Sequence, residues 1–403
     1  MDPGIEVIEP SSTSVQPVFD GLGSLIAPKG TEEFFREYWE ARPFFIARDN
    51  PEYFASLLTM RDMDEYIGTR AFHPSDIRLV KEGKDKSFEE YSKDGIADRH
   101  EMLRAFKDGT MLLFSHLNRH HLPLAELISR CEAETHLPMR SNVYLSPPDS
   151  QGFKLHWDTH DVLVLQIAGS KRWHIYDSPL GLPHEEHMRE LKSWIAQAKK
   201  DTELVLRPGS VLYLPRGYIH GAEAEDDHSL HITIGLRSLT VMDIVLGEFK
   251  RASLQDLDMR KAAMFDDYRS EEAIEAARQA MRRVIESMDI ENAANDVYKS
   301  FIQSRQPPAR NSLLGLIEHR PLDHGTGLRL RRQALFNFFK ADGTVSVAVD
   351  GAVVTLPEGV EAALEHIRRE DSFTPESLPG LEHESRLIFA QSMLDCRLVE
   401  RVP

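Results

Sequence analysis

Hydrophobic and polar positions along the 403 residues change their period twice. Between residues 31 and 140 helix-like stretches alternate with short apolar segments. EEFFREYWEAR, with Thr31 placed to cap it, then PEYFASLLTMRDMDEYIG and LAELISRCEAE read as helices. PFFIARD, starting at Pro43, reads as a strand. From 141 to 236 the pattern shortens. NVYLSPP, DVLVLQIAG, KRWHIYD, ELVLRPG, SVLYLP and SLHITIGL are brief β-rich runs separated by Gly, Pro and Asp. Many short strands at close spacing predict a small sandwich or barrel. HEEHMRELKSWIAQAKK, about 184 to 200, interrupts them as a helical insertion.

After Arg237 the helical period returns. Ser270 can cap EEAIEAARQAMRRVIESM, in which Ile274, Ala277, Met281, Val284, Ile285 and Met288 recur at three- and four-residue spacing and make one apolar face. That face either packs within its own chain or joins two copies. RQPPARN, 305 to 311, reads as a linker. Beyond it helices are expected near 328–340, 358–369 and 382–394, with the hairpin TVSVAVDGAVVTL turning at Asp350-Gly351 and a closing strand in CRLVERV.

Composition narrows the possibilities. A mean hydropathy of −0.38 and the lack of a long apolar run argue against a membrane span. The first 20 residues have no basic-then-apolar pattern and read as a disordered leader. Cys131 and Cys396 cannot build a disulfide framework or a thiolate metal site, and a cytoplasmic setting is expected. A formal charge of −17 disfavours nucleic-acid binding and suits a basic protein or peptide partner, although it equally serves solubility.

Any metal site must therefore use His, Asp and Glu. His156-Trp157-Asp158 precedes DVLVLQIA, and in an extended segment its outer residues share a face. His220 follows the strand SVLYLP and the turn Pro215-Arg216-Gly217. Two imidazoles and a carboxylate on one face of an ion leave the opposite positions open, as in non-heme iron(II) oxygenases. A His-x-Asp pair alone is a weak signal; the distal histidine after a strand and turn strengthens it. Lys171 begins the strand after DVLVLQIAGS and shares a face with Trp173, while Arg172 and His174 share the other. It is the cation that a bound 2-oxo diacid needs at its distal carboxylate. Taken by itself it reads better as a hairpin-tip lysine in water.

NVYLSPPDSQGFKLHWDTHDVLVLQIAGSKRWHIYD and LRPGSVLYLPRGYIHGAEAEDDHSLHITIGL resemble the JmjC ribosomal oxygenases, cupin-like protein hydroxylases, over roughly 140 to 237. The order of regions, a β-rich domain, then helices, then a small C-terminal domain, is similar too. The resemblance implies iron(II) held by His156, Asp158 and His220, 2-oxoglutarate at Lys171, and dioxygen as oxidant. It implies that Asn142 and Tyr144, and less directly His231 and Thr233, line the site beside the co-substrate. It also implies a double-stranded β-helix (jelly-roll) core with flanking helices over 21–237, a helical dimerisation region over 238–305 and a winged-helix-like domain over 311–403. In that family arginine hydroxylases carry arginine at the Lys171 position and histidine hydroxylases carry lysine. The expected reaction is hydroxylation of a side-chain carbon, a histidine or arginine Cβ, in a basic, ribosomal protein. The rivals are N-methyl-lysine demethylation, hydroxylation of a peptide natural product, and a non-catalytic metal-binding cupin.

Other motifs carry less. In HLNRHH, which also holds His121, His116 and His120 have zincin spacing but Leu117 stands where that motif needs its Glu, and in HEEH, His184 to His187, the histidines are only three apart. Residues 311–403 hold ten Lys and Arg against fourteen Asp and Glu, a poor match to phosphate, so no DNA binding is expected there.

Overall fold

The structure, a computed structural model, describes residues 4–10, 17–262, 270–309, 321–341 and 343–402. It divides into two compact units, Met1–Ser238 and Leu239–Pro403. No helix among the described residues is long and apolar enough to cross a membrane.

In the first unit the strands run β1 (Glu6–Ile8), β2 (Phe44–Ile46), β3 (Ile77–Lys81), β4 (Lys84–Asp85), β5 (Ser92–Lys93), β6 (Ile96–Ala97), β7 (Met111–Phe114), β8 (Met139–Ser146), β9 (Asp161–Ala168), β10 (Lys171–Tyr176), β11 (Lys200–Leu206), β12 (Val211–Leu214), β13 (His220–Ala224) and β14 (Ser229–Leu236). Nine of them form one sheet in the order β1-β2-β12-β9-β14-β8-β7-β3-β4, and β11-β10-β13 form a smaller one.

Side-chain alternation explains how the two sheets close on each other. Along β9, Leu163, Leu165 and Ile167 enter the main core, which the helices cover, while Val162 and Val164 join Trp173, Ile175, Leu206, Leu212 and Leu214 in a second apolar cluster. A strand buried on both faces reads as a nearly continuous apolar run, and DVLVLQIA does. β14 divides likewise: Leu230, Ile232, Ile234 and Leu236 belong to the main core, leaving His231 and Thr233 on the opposite face. On β8, Met139, Val143 and Leu145 face that core, so Asn142, Tyr144 and Ser146 point the other way. Gly169 makes the turn into β10 at φ 61°, where a Cβ would sit 1.6 Å from the His228 carbonyl oxygen. No other residue fits there.

Several expectations change. The presumed disordered leader contains β1, which pairs in parallel with β2; Ile8 packs on the main core and Tyr38 donates to Glu6 (2.6 Å). Residues 1–3 and 11–16 of that leader lie outside the described residues. Thr31 does not cap its helix, because Gly30 holds that position and the Thr31 hydroxyl bonds Glu134 (2.6 Å). The next helix is shorter than expected, Met60–Thr69, started by reciprocal capping between Thr59 and Asp62. The insertion is a 3-10 turn, Glu185–Glu190, leading into a helix, Leu191–Gln197.

The second unit begins with helices Val241–Ser253, Leu257–Arg260, Glu271–Glu286 and Ile290–Ser304. Ser270 caps the third as expected, accepting from the Ala273 N–H (3.1 Å). β15 (Leu328–Leu330) pairs with β19 (Val399–Arg401), while β16 (Phe336–Ala341), β17 (Thr344–Val349) and β18 (Ala352–Pro357) make a meander. Helices Glu361–Arg369 and His383–Asp395 pack with them around Val345, Val347, Leu364, Ile367, Phe389 and Met393. The helix expected at 328–340 is thus two strands. Its apolar residues, Phe336 and Phe338 on one face and Phe339 on the other, alternate with period two. The linker expectation fails at Arg305, which is buried against the Asp350 carboxylate and donates to the Gln333 carbonyl; residues 310–320 lie outside the described residues.

Candidate iron and co-substrate site

A pair of backbone hydrogen bonds builds the centre. His156 N donates to His220 O (3.0 Å) and His220 N to His156 O (2.8 Å), which sets the two imidazoles side by side with ring centroids 4.4 Å apart. His220 opens β13, a strand that pairs with β10 and aligns His220 with Ile175. The turn before it needs Gly217, at φ 90°, where a Cβ would strike Pro183 and Ser178 at 2.5 and 2.6 Å. The Gly217 N–H donates to the Asp158 carbonyl (3.1 Å), tying both arms of the centre together.

The three side chains converge: His156, Asp158 and His220 offer ligand atoms that all lie within 4.8 Å of one another, and His220 Nε2 is 3.6 Å from Asp158 Oδ2. Each imidazole is oriented from behind. His156 Nδ1 meets the Lys154 carbonyl at 2.8 Å and His220 Nδ1 meets that of Tyr218 at 2.9 Å. A carbonyl only accepts, so both Nδ1 atoms carry the proton and both Nε2 atoms keep a free lone pair for a metal. Burial pushes the His220 pKa down to about 4, which keeps that ring neutral. Burial works the opposite way on Asp158, but His156, His220 and His160 outweigh it and hold the carboxyl below its ordinary range. Imidazole nitrogens and a carboxylate are donors that suit a divalent ion. The residues fit the ion.

Lys171 lies in the same cavity, which Tyr144, Phe153, Trp173, His231 and Thr233 also line. Its side chain is buried, its Nζ donates to Ser146 Oγ (3.0 Å), and no carboxylate pairs with it among the described residues. Burial alone pulls its pKa down to about 7. An ammonium so placed is stabilised by an incoming anion. The Trp173 Nε1 and His231 Nδ1 atoms are likewise buried without hydrogen-bond partners. This wall is polar, cationic and unsatisfied, which suits a small dicarboxylate. The hairpin-tip reading of Lys171 is excluded by its burial.

His231 and Tyr144 stand opposite each other across β14 and β8, with rings stacked at 4.5 Å, and Thr233 faces Asn142 in the next register position. Asn142 does not line the cavity; its Oδ1 accepts from the His116 N–H (3.2 Å). Sequence reasoning missed Ser146, although it follows Asn142 and Tyr144 at two-residue spacing, and missed Phe153, which packs edge-on against His156 at 5.7 Å. HLNRHH and HEEH contribute to no metal-like group among the described residues.

Behind the site, Asp161 at the start of β9 accepts from the Tyr213 hydroxyl (2.6 Å), while its second carboxyl oxygen has no partner. Burial raises its pKa to about 7. The folded unit therefore keeps a proton that the unfolded chain releases near pH 4, and stability falls as pH rises between those values. Asp161→Asn removes the ionisation and is expected to stabilise the unit by about 1–3 kcal/mol at pH 8, with little change at pH 4. All four tryptophans, Trp39, Trp157, Trp173 and Trp194, belong to this unit, so denaturation followed by their fluorescence reads it. Equal pH dependence in both proteins would remove Asp161 from this role.

Residues 117–244 match the model of the JmjC domain. The bifunctional lysine-specific demethylase and histidyl-hydroxylase NO66 of Drosophila persimilis is 32% identical over 217 residues, 53% of this chain and 31% of that protein. Ribosomal oxygenase 2 of Mus musculus is 32% identical over 219 residues, covering 52% and 46%. Ribosomal oxygenase 1 of Gallus gallus is 27% identical over 320 residues, covering 70% and 51%. The chain thus spans from a third to half the length of these curated relatives. In fold it is similar to the ribosomal oxygenase YcfD of Escherichia coli, solved in complex with cobalt and 2-oxoglutarate, with a TM-score of 0.51 at 17% identity, covering 92% of this chain and 98% of that one.

Proposed function

Given a chain whose residues 117–244 form a JmjC domain, we propose that it is an iron(II)- and 2-oxoglutarate-dependent oxygenase that hydroxylates a side-chain carbon of a protein. The observation that carries this reading is the pairing, in one cavity, of the His156–Asp158–His220 cluster with the buried, carboxylate-free Lys171. When bound, iron(II) would activate dioxygen, the oxidant, one atom of which oxidises 2-oxoglutarate to succinate and carbon dioxide while the other enters a substrate C–H bond. The protein's own share is positional. His156 and His220 present Nε2 because Lys154 O and Tyr218 O hold their Nδ1–H groups. Asp158 supplies the anionic ligand, and Lys171 with Ser146 receives the distal carboxylate. Trp173, Val162 and Val164 exclude water from that end. Tyr144, His231 and Thr233 shape the wall beside it, with Asn142 behind them.

The substrate we infer is an exposed segment of a basic protein, ribosomal in kind, modified at a histidine or arginine Cβ. The relatives' names support a ribosomal target, and the charge of −17 favours encounter with a basic partner. Lys171, the residue that histidine hydroxylases carry at this position, favours histidine. We place the reaction in the cytoplasm, in keeping with two free cysteines. The test is incubation with iron(II), ascorbate, 2-oxoglutarate and basic host peptides, followed by mass spectrometry. A side-chain product heavier by about one oxygen, absent with His156→Ala, is expected. Formaldehyde with loss of methyl groups from methyl-lysine would replace the reading with demethylation. Turnover of a dedicated small peptide alone would move it to natural-product chemistry, and no turnover of 2-oxoglutarate at all would leave a non-catalytic cupin.

We further propose that residues 238–305 form a homodimer interface and that 311–403 act as a winged-helix-like protein-contact domain without DNA binding; residues 263–269, 311–320, 342 and 403 of these ranges lie outside the described ones. Within the apolar stripe of Glu271–Glu286, Val284 is buried but Ile274, Met281 and Ile285 are 40–53% exposed, and Val241, Leu246, Leu254 and Leu257 on the preceding helices are 55–77% exposed. So much exposed aliphatic surface is atypical of a monomer. Ile274→Glu with Met281→Glu is expected to convert the dimer to monomers in sedimentation. A monomeric unsubstituted protein at micromolar concentration contradicts the interface.

A further inference from the structure

A second group of metal-ligating side chains lies in the other unit: His324, Glu376 and His383, whose ligand atoms lie within 4.8 Å of one another. Three separate segments supply them. Asp323 fixes the first, accepting from the Gly325 N–H (3.1 Å) and the Thr326 hydroxyl (2.7 Å), which holds the loop that presents His324. Glu376 sits in the 3-10 turn Pro375–Ser377, whose backbone is joined to that loop by Glu376 N donating to His324 O (3.1 Å). His383 is the first residue of the helix His383–Asp395.

One carboxylate oxygen is the meeting point. Glu376 Oε2 lies 3.3 Å from His324 Nδ1 and 3.4 Å from His383 Nδ1. The other oxygen is engaged by Arg386 Nη1 at 3.0 Å, one turn along the same helix, so Oε2 is directed at the imidazoles. His324 Nδ1 is buried and makes no well-formed hydrogen bond, despite the carboxylate beside it. The two rings stack in parallel with centroids 3.8 Å apart.

We propose that His324, Glu376 and His383 form a second divalent-metal site of the zinc class, independent of the oxygenase centre, that staples the loop before β15 to the final helix. With metal–donor bonds of about 2.0–2.1 Å, donors at tetrahedral corners stand about 3.4 Å apart, and the two nitrogen–oxygen separations already have that length. The donor set selects the metal. Two imidazoles with a carboxylate whose charge Arg386 offsets suit zinc, and suit calcium or magnesium poorly. Parallel rings cannot both aim in-plane lone pairs at one ion, so His383 must turn on binding. Its side chain is 68% exposed and free to do so. The fourth position opens to solvent and takes water. A site of this kind stabilises the folded unit in proportion to free metal.

The experiment uses the full chain carrying His156→Ala and His220→Ala, so that the oxygenase centre no longer holds an ion. Zinc is titrated by calorimetry, and cobalt(II) is followed by its visible absorption. One zinc per chain at micromolar free metal, and the intense absorption of four-coordinate cobalt, are expected. Adding His383→Ala should weaken zinc at least tenfold while circular dichroism stays unchanged, since that side chain is exposed. Glu376→Gln should weaken it less. Absence of binding in the silenced chain overturns the proposal. Zinc affinity unaltered by both His324→Ala and His383→Ala overturns it equally.

Discussion

Asp158→Ala is expected to abolish coupled oxygenation while the first unit stays folded. The carboxylate supplies the only negative charge of the three ligands, and losing it removes both affinity and the open-faced geometry. Losing a group that merely supports a ligand costs roughly 10–100-fold, so the loss here should exceed a hundredfold. His156→Ala and His220→Ala should match it. For His220 the cause is double, because its ring also packs against Trp173, with centroids 5.8 Å apart. Coupled product formation by the Asp158→Ala protein at near-normal rate would remove the triad assignment. Zinc or manganese bound in place of iron would not, since either ion can occupy these ligands without supporting turnover.

Lys171→Ala is expected to raise the 2-oxoglutarate requirement about ten- to a hundredfold, which corresponds to about 1.5–3 kcal/mol for a charge-assisted hydrogen bond in a dry pocket. Iron affinity should change far less. A pH signature accompanies it. Burial has drawn the free lysine's pKa down to about 7, whereas the bound dicarboxylate needs it charged. Above pH 7 binding must take up a proton, and co-substrate affinity should fall as pH rises, with a slope that Lys171→Ala removes. Saturation curves at pH 6.5 and 8.5 test both statements. Unchanged co-substrate dependence in the alanine protein returns Lys171 to a purely structural role.

Alternation within β-rich runs is why the faces of the candidate site's strands were readable. Asn142 and Tyr144 on β8, His231 and Thr233 on β14, and Lys171 with Trp173 on β10 each share a face because the strand period is two. The same rule, applied one step further, reaches Ser146. Where long-range pairing decides the conformation, the sequence was silent. β13 begins HGAEA, a run of low strand propensity that extends only because β10 and His156 pair with it. β1 exists because β2 offers an edge, and Thr31 loses its cap to Glu134, distant in sequence. The Phe336–Ala341 strand was mistaken for a helix in a stretch where apolar residues fit both periods. His324, Glu376 and His383 lie on three segments with no motif between them, and only the folded chain brings them together.

The central claim is that iron and 2-oxoglutarate meet at His156, Asp158, His220 and Lys171. It is tested most directly by anaerobic titration of the iron(II)-loaded protein with 2-oxoglutarate, followed by the visible charge-transfer absorption of a 2-oxo acid chelated to iron(II). One iron and one 2-oxoglutarate per chain are predicted, with the absorption absent in Asp158→Ala and shifted to higher 2-oxoglutarate concentration in Lys171→Ala. Absence of the absorption in the unsubstituted protein, or its survival unchanged in Asp158→Ala, would contradict the account.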